Sequence, residues 1–131
     1  MSPADSAEPR TFTDKTLVAW VSLANLDQRG GSVLTLENPG GEFDAIVLGE
    51  LAPGRWMAGS NSFLRTQQHQ DHYPTETAKP DETVQMAIVY RGRQVSVYRN
   101  AELYATYEMQ SDPATFSTDS YVLIGLRHRD A

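Results

Sequence analysis

VQMAIVYRGRQVSVYRNAELYATY, residues 84–107, reads as three successive strands joined by two tight turns. Val84, Met86, Ile88 and Tyr90 alternate with Gln85, Ala87 and Val89, the period-two pattern of a strand with a buried face. Arg91-Gly92-Arg93 interrupts it with a residue that tolerates positive φ, and alternation resumes through Val95, Val97 and Tyr98. Asn100-Ala101 makes the second turn. A two-residue loop there sets Arg99 opposite Glu102, Tyr98 opposite Leu103 and Val97 opposite Tyr104, so that opposite charges and aromatic-aliphatic pairs meet across the strands.

The flanking sequence has the same character. Thr16 to Ala24 is dense in β-formers, with Leu17, Ala19, Val21 and Leu23 on one face and Val18, Trp20 and Ser22 on the other. Both faces are partly apolar, which predicts an inner strand with Trp20 in the core. Gly30-Gly31 leads into a strand over Val33 to Glu37, and Asn38-Pro39-Gly40-Gly41 turns the chain into another over Phe43 to Glu50. Pro53-Gly54 precedes a short strand from Arg55 to Ala58, and Asn61 to Arg65 reads as one more. From Thr66 to about Glu82 the chain is polar, holds two prolines and shows neither period. This is one long loop, of a length often tied to function in compact domains. Gln110 to Ser120 is a second polar connection, and Tyr121 to Leu126 is a last strand. Nothing reads as a long amphipathic helix, so the prediction is an all-β antiparallel sandwich.

A chain of 131 residues is one domain. Residues 1–11 form a flexible leader rich in Pro, Ser, Ala and Asp, and residues 12–131 form the domain. Eleven Lys and Arg against seventeen Asp and Glu give a formal net charge of -6, which argues against nucleic acid and against an anionic membrane surface. The absence of cysteine excludes a disulfide framework, a thiolate metal site and a cysteine nucleophile, and leaves the compartment open. No run approaches the roughly 20 apolar residues of a membrane-spanning helix, and the first ten residues lack the apolar stretch of a signal peptide.

The order of motifs resembles a known family. LVAWVSL at 17–23, GSVLTL at 31–36, AIVY at 87–90, VSVYRNAELYATY at 95–107 and VLIGLRH at 122–128 follow the succession found in the laminin G-like, concanavalin A-like jelly-roll domains of bacterial proteins. The likeness covers most of the chain from Phe12 to His128. It implies a concanavalin A-like jelly roll serving as a non-catalytic recognition or adhesion module of a larger protein, with carbohydrate as ligand; the compartment stays open and is compatible with a secreted or cell-surface place. Two departures stand out. Asn100-Ala101 replaces the family's usual Asn-Gly, which predicts about a kcal/mol of strain or another turn type. The family's final strand beside the early ones is also absent before Ala131, which predicts a truncated domain, a differently closed sheet or a homo-oligomer formed through an open edge.

Four chemistries follow for the polar residues. Some enzymes of this fold carry Glu-x-Asp-x-(x)-Glu on one strand. Glu42 and Asp44 begin that motif, and two residues along a strand, about 6.6 Å, come near the spacing of about 5 to 5.5 Å that a retaining pair needs. Ile46 and Val47 stand where the third carboxylate belongs, so hydrolysis is the alternative reading. His69-Gln70-Asp71-His72 has the composition of a metal site but no spacing that pre-organises one, and its histidines read as solvated loop residues. The resemblance implies calcium held by loop oxygens, with Asp44, Asp71 and Asp81 as candidates and Glu76 and Glu82 nearby. For sugar, an aromatic face combines with planar polar groups, and Trp56, Asn61, Arg65, His72 and Tyr73 lie on or beside the long loop. A scaffold domain that contacts a neighbouring protein domain is the third reading.

Overall fold

The computed structural model of the chain describes residues 10–22, 31–80 and 82–124. Ten strands appear in it: β1 (Thr11–Phe12), β2 (Lys15–Ser22), β3 (Gly31–Glu37), β4 (Phe43–Leu48), β5 (Trp56–Ser60), β6 (Thr83–Arg91), β7 (Gln94–Arg99), β8 (Glu102–Glu108), β9 (Phe116–Ser117) and β10 (Tyr121–Ile124). They form two four-stranded sheets, in the orders β10-β3-β4-β5 and β2-β6-β7-β8, and a small β1-β9 pair. Every pairing is antiparallel. The product is an antiparallel β-sandwich.

Alternation in the central hairpins points Val84, Met86, Ile88, Tyr90, Val95 and Val97 inward, where they meet Ile46, Leu48, Trp56 and Ala58 of the facing sheet. Burial of these side chains supplies most of the drive to close the sandwich. β4 and β5 are buried on both faces, because Phe43, Ala45, Val47 and Met57 pack under Leu51 and Phe63 on the side away from the main core. That is why β4 reads as an almost unbroken apolar run rather than an alternating one. Gly59 belongs to this approach: a Cβ there would lie 2.6 Å from Val47 Cγ2.

Several expectations change. β2 pairs only with β6 among the described residues and stands at the end of its sheet, and Trp20 is 69% exposed rather than in the core. Leu17 and Val21 take the inward positions. Asn61–Phe63 is a tight turn instead of a strand, with Ser62 and Phe63 at φ 54° and 56°. The register of β7 and β8 has the predicted Arg99–Glu102 and Tyr98–Leu103 pairs, but a bulge then sets Val97 opposite Ala105 rather than Tyr104. The extra residue frees Tyr104 to reach the facing sheet, where its hydroxyl accepts from the Trp56 backbone N–H at 3.1 Å. Thr11, placed in the leader, pairs with Ser117. Residues 1–9, the Gly30 turn and the continuation of the last strand beyond Ile124 lie outside the described residues.

Candidate functional site

The residues first expected to hold a sugar fall in separate places: Asn61 and Arg65 meet beside Asp44, Trp56 and Tyr73 are buried, and His72 is exposed. The Arg65 guanidinium donates from Nε to Asp44 Oδ1 at 2.9 Å and from Nη2 to the Phe43 carbonyl at 2.9 Å and Asn61 Oδ1 at 2.6 Å. Lys15 Nζ reaches the other Asp44 oxygen at 2.7 Å and sits 3.9 Å from the centre of the Tyr90 ring. Arg65 is 3% exposed and Asp44 1%. The turn at Asn61–Phe63 is what aims Arg65 inward: the Arg65 backbone N–H bonds the Ser60 hydroxyl at 3.0 Å, and Tyr107 donates to the Arg65 carbonyl at 2.7 Å.

Trp56 is fully buried, and its indole N–H donates to Glu76 Oε1 at 2.6 Å. Glu76 gathers the long loop onto the sandwich. It accepts a two-pronged ion pair from Arg99 at 2.8 and 2.7 Å and the backbone N–H groups of Thr77 and Ala78 at 3.0 and 2.7 Å. Burial alone would raise the pKa of this carboxyl, but the bonds from Arg99, Trp56 and Ala78 outweigh it and hold the value down to about 2. Tyr73 is 4% exposed, edge-on to Tyr104 at 5.6 Å and to His72 at 5.0 Å. His72 is exposed. Neither Trp56 nor Tyr73 therefore presents a ring face on which a sugar could stack, so the aromatic platform drawn on the loop is not formed. The loop is a clasp.

The other candidates are placed just as plainly. Glu42 is exposed at the turn before β4, where it closes a reciprocal pair of bonds with Asn38, while Asp44 is engaged by two cations. Two carboxylates do not face each other across a cleft there. The same cations occupy the Asp44 oxygens that calcium would need, Asp71 is exposed on the loop, and Asp81 lies outside the described residues. Among the described residues no three acidic or histidine side chains converge to hold a metal ion. Among the described residues the candidates do not form a site that fits the implied calcium.

The exposed chemistry lies on the outward face of the β2-β6-β7-β8 sheet. Residues opposite one another there form rungs: Arg91–Gln94–Glu108, then Val89–Ser96–Thr106, then Val18–Ala87–Tyr98–Leu103. Two shallow depressions adjoin on this face. One, of about 500 Å³, is lined by Arg91, Arg93, Gln94, Thr106, Tyr107 and Glu108; the other, of about 190 Å³, by Val89, Arg91, Gln94, Ser96 and Tyr98. Arg91 and Gln94 are common to both. The Ser96 and Thr106 hydroxyls lie 3.1 Å apart, a hydrogen-bonded pair between the two hollows. Guanidinium, amide, hydroxyls and carboxylate thus offer donors and acceptors side by side, with a phenol at one end. The sequence held a signal for this set. The alternation that buries Val95 and Val97 necessarily turns Gln94, Ser96 and Tyr98 outward.

The family model described as the concanavalin A-like lectin/glucanases superfamily matches residues 3–131. The chain belongs to that superfamily. No curated protein matches it in sequence. For a concanavalin A-like domain the sandwich, the aromatic-bearing sheet face and the polar rungs are compatible with carbohydrate binding. Among the described residues no helix is long and apolar enough to cross a membrane.

Proposed function

We propose that the protein is a non-catalytic recognition module that binds carbohydrate on the outward face of the β2-β6-β7-β8 sheet. The observation that carries this reading is the pair of adjoining depressions sharing Arg91 and Gln94, with Ser96 and the half-exposed Tyr98 beside them. Planar polar groups bond neighbouring hydroxyls while an aromatic ring covers the apolar side of a pyranose. Superfamily membership supports the ligand class, although fold by itself does not assign it.

A glycan array followed by calorimetric titration of the hit, in calcium and in chelator, tests the proposal. Binding in both conditions that falls at least tenfold, about 1.4 kcal/mol, in the Arg91→Ala/Gln94→Ala variant is the expected result. Both residues are exposed, so the fold survives their removal. An array without hits would favour the reading in which this face docks a neighbouring protein domain. Trp20 and Leu103, 69% and 59% exposed, are the observation behind that second reading.

A further inference from the structure

The Arg91–Gln94–Glu108 and Val89–Ser96–Thr106 rungs lie toward one end of the sheet face. Tyr98 stands in the middle of the face, opposite Ala87, and Trp20 stands at the other end, opposite Gln85. Between Gln85 and Arg91 the outward residues of β6 are only Ala87 and Val89, and the neighbouring position of β7 is Ser96. These short side chains form a low floor from which the two rings rise. Six residues of β6 separate the rung of Trp20 from that of Gln94, on the order of 20 Å along the strand. No mono- or disaccharide spans that distance.

Resting on the carbohydrate reading, we infer that the ligand is a linear glycan several residues long, lying along the strands. One segment is hydrogen-bonded at Arg91 and Gln94, and the segments beyond it stack on Tyr98 and then Trp20. Trp20 supports this because an indole 69% exposed on an orderly strand is costly to leave in water and is free for an apolar ligand face. Anchors held on one rigid sheet also make the second contact intramolecular once the first has formed, so affinity grows with ligand length.

The test is a length ladder, from disaccharide to hexasaccharide, of whichever cello-, xylo-, manno- or chito-oligosaccharide series corresponds to the array hit. Wild-type protein and Trp20→Ala are titrated side by side, with thermal melting to confirm that the variant is folded. The expected result is a rise in wild-type affinity of roughly tenfold or more across the ladder. In Trp20→Ala that rise disappears while disaccharide affinity stays the same. A wild-type disaccharide that binds as tightly as the hexasaccharide overturns the inference and leaves the sheet-face site standing. So does an equal loss at every length in Trp20→Ala. Binding that persists unchanged in Arg91→Ala/Gln94→Ala removes the sheet-face reading itself, and this inference with it.

Discussion

Asp44 is one carboxylate serving two buried cations, Lys15 at 2.7 Å and Arg65 at 2.9 Å. Burial lowers the Lys15 pKa, the Asp44 charge works against that shift, and the Tyr90 and Phe116 rings flank the ammonium at 3.9 and 4.6 Å. Replacing Asp44 by Ala strands both cations, and a buried ion pair broken on one side costs about 3–5 kcal/mol. Urea denaturation of Asp44→Ala measures it, and a loss below about 1 kcal/mol would mean that the cluster is solvated. At this scale the sequence misled for a definite reason. A buried polar clasp and a sugar site draw on the same residue types, and what separates them is a partner far away in the chain. Arg65 finds Asp44 across 21 positions, and Trp56 finds Glu76 across 20. Trp20 shows the complementary failure. Alternation separated Leu17 and Val21 from Val18 and Trp20, but with both sets apolar it could not say which faced the core.

At the scale of elements, the turn joining β7 to β8 has the two-residue form that the sequence predicts. Asn100 and Ala101 have φ of 48° and 70°, both in the left-handed region, as a two-residue hairpin turn matched to strand twist requires. The Asn100 side chain adds a bond from the Gln85 backbone N–H at 2.9 Å, which ties the turn to β6. Ala101 has no such compensation and is exposed. Left-handed backbone costs a non-glycine residue about 1–2 kcal/mol, and glycine gives back part of that through the greater entropy of its unfolded chain. Ala101→Gly is therefore expected to raise the unfolding free energy by about 0.5–1 kcal/mol, read as a higher urea midpoint at unchanged slope. A lower midpoint would show that the turn carries no strain. The strand pattern was legible because pleat and turn chemistry are local. The bulge that moves Val97 from Tyr104 to Ala105 was not, because its cause is a bond to Trp56 on the other sheet.

For the whole molecule, the buried titratable groups define a window of stability with two unlike edges. Glu76, held down to about 2 from an ordinary 4.5, contributes stability that is present above pH 4.5 and is lost as the pH falls toward 2. Glu76→Gln should lower stability by about 3 kcal/mol near neutrality and flatten this acid limb. On the alkaline side, burial pushes four of the six tyrosines upward: Tyr73 to about 12, with Tyr90, Tyr104 and Tyr107 raised as well. A group whose folded value is raised keeps its contribution below the unfolded value of 10 and loses it as the pH climbs through the folded one. Tyr73 alone would cost about 2 kcal/mol by pH 12. Lys15 acts in the opposite sense, since its lowered value makes stability rise between that value and 10.5, but it is one group against four. The expected profile is a plateau from about pH 5 to about pH 10 with a fall on each side, measured by denaturant midpoints across pH. Tyrosinate absorbance from these four buried and half-buried rings should appear together with the loss of far-ultraviolet dichroism. Tyr73→Phe should move the alkaline midpoint upward. Smooth ionisation of all six tyrosines with the fold intact would contradict the burial assigned to the four. If the proposed sheet-face site holds the glycan, its binding should fail at those two edges, because the clasp and the ion cluster maintain the sheet on which it lies.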